Sequence, residues 1–119
     1  MVVKHKRKAS AALESYLQAW KGKDYITMTK HCTETWLEDK AIIGISILEH
    51  WYEKDLQGFK IISAKQTGNA TVDFMVAVQF TGEAEKVERV RVICEAAPYR
   101  PTITGRWGVN PVSGLRLIN

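Results

Sequence analysis

Histidine and cysteine are neighbours at His31-Cys32, and a thiol beside an imidazole is the pair from which a nucleophile and its general base are made. Adjacent helical residues point about 100° apart, so these two side chains do not readily meet on a helix. His5 and His50 lie far away, and the chain has no His-x3-His, Cys-x2-Cys or clustered-carboxylate spacing, so no metal site and no cofactor are expected. Cys32 and Cys94 stand among apolar-periodic residues without a Cys-x-x-Cys partner and read as reduced, small hydrophobes. Gly105, Gly108 and Gly114 precede no helix that would capture an anion, which excludes a glycine-rich phosphate loop there. Arg89, Arg91 and Arg106 hint at a sheet that binds single-stranded nucleic acid. Glu83, Glu85, Glu88 and Glu95 neutralise that neighbourhood and favour a solvated face with cross-strand pairs.

The elements that must position these groups occupy 119 residues, enough for one domain. The composition, 45% hydrophobic and 25% charged, is that of an ordinary globular domain with its own core. The formal charge of +4 is accounted for by Lys4, Lys6, Arg7 and Lys8. Residues 1–8 therefore read as a basic flexible tail and 9–119 as a formally neutral domain. Four cations without a neighbouring basic face make only a weak, salt-sensitive contact with nucleic acid or an anionic membrane, so neither is expected as a partner. The longest apolar run, Ala41 to Leu48, is too short to cross a membrane, and no apolar stretch of a secretory signal follows Lys8. A cytoplasmic location is the expectation.

Leu13, Tyr16, Leu17 and Trp20 fall at i, i+3, i+4 and i+7, which predicts a helix from about Ser10 to Lys21 with Gly22 as its stop. Asp24 is placed to cap a second helix running to about Cys32. Thr33 to Lys40 loses the period and reads as a turn or short loop. A third helix is expected with Ile45, Leu48, Tyr52 and Leu56 along one face, although the β-branched Ala41 to Ile47 portion also fits a strand. After Gly58 the period becomes two. Strands are predicted at Phe59–Thr67, Thr71–Thr81, Lys86–Ala96 and Thr102–Val109, with a hairpin turn at Gly68-Asn69 and a break around Pro98 and Pro101. Val72, Phe74, Val76, Val78, Phe80, Val90, Val92 and Cys94 share the core face. The result is an α+β domain, N-terminal helices packed on a curved antiparallel sheet of about four strands.

Three helices followed by a meander of long strands resemble the nuclear transport factor 2-like superfamily with its cystatin-like cone. The resemblance is carried by Tyr16-Leu17-Gln18-Ala19-Trp20 with Lys21-Gly22-Lys23-Asp24-Tyr25, the helix ending near Gly58, Gly58-Phe59-Lys60-Ile61 and Trp107-Gly108-Val109, covering roughly residues 9–110. It implies a pocket between helices and sheet where enzymatic members use an inward acid as a base and a tyrosine or protonated acid to steady an enolate. No predicted inward strand residue here is ionisable near neutral pH. Turning Asp73 inward would expose five large apolar side chains, at about 1.5–3 kcal/mol each.

Tyr16 and His50 are the remaining candidates for catalysis. Tyr16, Trp20, Trp36, Trp51, Phe74 and Trp107 are candidates to line an apolar ligand pocket, or simply to fill the cone. Met75, Ala77, Arg89, Arg91 and Ile93 form an outer sheet face less polar than a solvated one, suited to homodimerisation. The leading expectation is a non-catalytic dimeric binding or accessory module with an aromatic pocket that takes an apolar small molecule. The alternative is a small isomerase, dehydratase or cyclase-type enzyme acting on a hydrophobic substrate.

Overall fold

The computed structural model describes residues 2–114 of the chain; residues 115–119 of the expected domain and the Lys4 side chain of the expected tail lie outside the description. The fold is α+β, with helices first and an antiparallel sheet after them. Helix α1 spans Val2–Lys21. Its predicted stripe of Leu13, Tyr16, Leu17 and Trp20 is wholly buried, and Ala9 extends it one turn earlier. Another turn back, the His5 ring lies 6.2 Å from Trp107. Residues 5–8, read from the sequence as part of a flexible tail, are therefore helical. His5 and Ala9 continue the i, i+4 stripe, but neither is apolar enough to announce it.

The chain leaves α1 through Lys23, whose φ of 59° makes Lys23, not Gly22, the left-handed residue of this corner. The Lys23 ammonium donates to the Glu53 carbonyl at 2.6 Å and lies 3.1 Å from the Asp55 carboxylate. Asp24 then caps α2, Tyr25–Lys30, accepting from the Thr27 amide at 3.1 Å and from the Thr27 hydroxyl at 2.6 Å.

Two helical expectations need correction. Glu34–Lys40 is a helix, α3, where a loop was expected. Thr33 caps it by accepting from the Trp36 amide at 3.2 Å, and Trp36 is its buried residue. A 3-10 turn at Ala41–Ile43 leads into α4, Gly44–Trp51, so the strand alternative for this stretch does not hold. Helix α4 also ends before Leu56. The Tyr25 hydroxyl donates to the Tyr52 carbonyl at 2.7 Å, while the Tyr52 hydroxyl donates to the Pro111 carbonyl at 3.0 Å. Both contacts come from distant parts of the chain and hold Tyr52 at the helix end.

The strands are β1 (Leu56–Gly68), β2 (Thr71–Phe80), β3 (Lys86–Ala97), β4 (Arg100–Pro101) and β5 (Arg106–Val109). They run in the order β1-β2-β3-β4, with β5 also paired to β3. The hairpin residues are Asn69 and Ala70, one place later than predicted, because Gly68 pairs with Thr71. The expected last strand is shorter: the Gly105 amide donates to the Thr102 carbonyl at 3.1 Å in a turn that takes up its first half, so β5 begins at Arg106, and the two-residue β4 lies at the expected break around Pro101. Alternation along β2 and β3 is as read. Val72, Phe74, Val76, Val78, Phe80, Val90, Val92 and Cys94 are buried beneath the helices. The long β1 is irregular, with register shifts between Leu56 and Gly58, Ile61 and Ser63, and Gln66 and Gly68.

Candidate functional site

The helix-facing interior is closed by aromatic packing. The Trp20 and Tyr52 rings meet edge to face with centroids 4.7 Å apart, Tyr16 meets Tyr52 in the same manner at 5.8 Å, and Phe80 lies 5.5 Å from Trp20. The Trp20 indole N–H donates to the Lys54 carbonyl at 3.1 Å. Of the six residues considered for a pocket, Tyr16, Trp20 and Phe74 have no exposed surface, Trp36 and Trp107 are buried, and Trp51 is half-buried with its ring 6.2 Å from Trp36. Trp36 borders a cleft beside α3, and Phe74 contributes to the walls of two surface grooves.

Tyr16 and His50 are not brought together. Tyr16 is wholly buried on α1, with Tyr52 as the polar neighbour of its hydroxyl. Burial, followed by the nearby Tyr52 and Cys32, raises its pKa well above the ordinary phenol value, so it is a neutral donor at physiological pH. His50 is exposed near the end of α4.

Cys32 is buried, with its Sγ 3.4 Å from the Met28 carbonyl, and burial pushes its thiol far up. His31 is half-buried, and desolvation with nearby Arg106 and Lys30 lowers its pKa. The adjacent pair thus combines a resistant thiol with a weakened base, the opposite of what an activated nucleophile needs. Cys94 is also a free, buried cysteine with a raised pKa. Among the described residues no three His, Cys, Asp or Glu side chains cluster as metal ligands.

Among the described residues the other sheet face is open at its centre. Cross-strand register places Ser63, Met75 and Arg89 side by side, and next to them Lys65, Asp73 and Arg91. Arg91 grips Asp73 through two bonds of 2.8 and 3.0 Å, which, with Arg89 and Lys65 nearby, lower the aspartate pKa. These residues border a groove of about 490 Å³. Of the five residues considered for a dimer face, Met75, Arg89 and Arg91 are exposed, Ile93 is half-buried and Ala77 is buried.

The sequence did not single out the cleft between α3 and β3. Glu95 points away from the core, as the alternation requires, yet it is buried because α3 covers this end of the outer face. The Thr35 amide donates to Glu95 Oε1 at 3.0 Å and the Thr35 hydroxyl donates to Oε2. Asp39, Trp36 and Asn110 complete a space of about 270 Å³. The available signal was Thr33, a capping residue immediately before Glu34. Recognising that cap would have predicted α3 and a cover for the sheet end.

No helix among the described residues is long and apolar enough to cross a membrane. Compared with protein-family models, curated proteins and solved structures, the chain has no match.

Proposed function

We propose that this chain is a non-catalytic binding or accessory module of the nuclear transport factor 2-like type, working through the open face of its sheet and pairing there with a second copy. The contrast between the two sheet faces carries the reading. Beneath the helices, Tyr16, Trp20, Tyr52 and Phe74 are closed over one another. On the far side, no helix among the described residues covers the centre of the sheet, where Met75 is flanked by Lys65, Arg89 and Arg91 around the groove.

A face-to-face dimer would cover Met75, the exposed Val87 and the half-buried Ile93. Lys65 and Arg89 have no carboxylate within ion-pair distance among the described residues, so apposed copies carry excess positive charge at this interface. Salt would screen that repulsion and tighten the pair, opposite to an interface built on ion pairs.

The isomerase, dehydratase or cyclase alternative has less support. It needs Tyr16 and His50 at one substrate, and one is wholly buried while the other faces solvent. Sedimentation velocity across a concentration series, at low and high salt, tests the proposal. We expect a dimer that strengthens with salt and is lost in Met75→Lys, which adds a further like charge at the centre of the face, with the circular dichroism spectrum unchanged. A monomer at every concentration and salt would remove self-association from the reading.

A further inference from the structure

Strand β1 has β2 on one edge and no strand on the other among the described residues. It is 13 residues long, so it presents a long row of backbone donors and acceptors along that free edge. Helix α1 runs beside it. Between them lies a groove of about 350 Å³, with Lys6, Arg7 and Ser10 on the helix wall and Ile61, Ile62 and Ala64 on the strand wall. On the other side of the same strand, Lys65 and Arg89 border the open-face groove.

Charge selects the occupant. Lys6, Arg7, Lys60 and Lys65 have no carboxylate within ion-pair distance among the described residues, and no acidic side chain lines the α1–β1 groove. A second copy offering its own β1 would set lysine against lysine. The register shift at Ile61/Ser63 further interrupts pairing between two such edges. An extended chain bearing carboxylates avoids the charge conflict and brings a regular edge, so only the irregularity of β1 itself has to be accommodated. Its main chain would bond to the free edge, and its alternate side chains would fall to the two sides of the sheet. On one side they meet Lys6 and Arg7 above the half-buried Ile61 and the exposed Ile62; on the other they meet Lys65.

We infer that the groove between α1 and the free edge of β1 binds an extended acidic segment of a partner protein as an added strand. This rests on the reading of the chain as a binding module but uses a different surface from the proposed self-association.

The test uses a fluorescein-labelled peptide of about ten alternating glutamate and valine residues, the length of a strand, and a lysine–valine peptide as control. Fluorescence anisotropy of the full chain is read together with amide hydrogen exchange. The expected result is binding of the glutamate–valine peptide alone, weakened by salt, with slowed exchange at β1 amides. Lys6→Glu/Arg7→Glu should weaken it by about tenfold or more, and Lys6→Gln/Arg7→Gln, which adds no like charge to the helix, by a smaller factor. Both should leave self-association unchanged, whereas Met75→Lys should abolish self-association and keep peptide binding.

Equal binding of the lysine–valine peptide, no binding of either, or protection confined to other strands would overturn the inference. So would concentration-dependent protection of β1 in the protein alone, which would identify a second copy as the occupant. A labelled oligothymidylate that binds through Lys6 and Arg7 while β1 amides exchange freely would also overturn it, pointing to nucleic acid.

Discussion

Thr35 holds the Glu95 carboxylate with both of its donors, its amide 3.0 Å from Oε1 and its hydroxyl bonded to Oε2. The same hydroxyl oxygen accepts from the Tyr99 amide at 2.7 Å, tying α3 to β3 and to the turn where Tyr99 adopts a φ of 63°. One side chain thus satisfies a buried carboxylate and steadies a left-handed residue. Thr35→Val keeps the shape and removes the hydroxyl, and should lower stability by about 2 kcal/mol. Thr35→Ser should cost much less. Urea denaturation checks both, and a valine variant as stable as the parent would show that this junction contributes little.

Tyr16 presents a different case, a wholly buried hydroxyl whose polar neighbour is another tyrosine, Tyr52. Tyr16→Phe removes a desolvated polar group together with its interaction with Tyr52 and should change stability by less than about 1 kcal/mol at neutral pH. The pH dependence has a defined sign. The folded-state pKa lies above the unfolded value of about 10, so folding disfavours the phenolate: stability does not depend on this ionisation below pH ~10 and falls as pH rises from there towards the folded value. Tyr16→Phe should therefore flatten the alkaline loss of stability, followed by chemical denaturation from pH ~9 upward. An equal alkaline slope in both proteins would assign that loss to other groups.

Asp73 titrates in the opposite sense. Its hydrogen bond to Arg91 depresses the folded pKa, so the pair stabilises the fold above the unfolded aspartate value of about 3.9 and ceases to do so as pH falls through the lower folded value. The difference in urea midpoint between the parent and Asp73→Asn should be present at neutral pH and shrink in strong acid. A pH-independent difference would mean that the substitution acts through packing.

Gly108 lies where β5 passes the end of α2. A Cβ there would stand 2.5 Å from the Cys32 carbonyl oxygen and 2.7 Å from its carbon, both backbone atoms that cannot swing aside. Gly108→Ala should cost about 3 kcal/mol or more. Gly58→Ala, in open space on β1, is the control and should change stability by less than about 0.5 kcal/mol. Thermal melts of the two variants distinguish close approach from a general need for glycine in the sheet.

What the sequence by itself determined is whatever a local period or a single adjacent cap encodes. The buried stripe of α1, the Asp24 cap and the inward series of β2 and β3 were legible because each side chain's direction follows from its neighbours along the chain. That alternation also placed Met75, Arg89 and Arg91 on the open face. Tertiary structure decided the rest. The first turns of α1 depend on Ala9 joining the core and His5 reaching Trp107, more than a hundred positions away in sequence. The end of α4 depends on Tyr25 and Pro111 holding Tyr52, and the burial of Glu95 depends on α3 arriving from the other half of the chain. The groove beside β1 is made by α1 standing next to a strand whose own residues read as an ordinary edge. In each instance the deciding contact joins segments whose separation leaves no periodic trace, so only the folded chain puts the partners within reach.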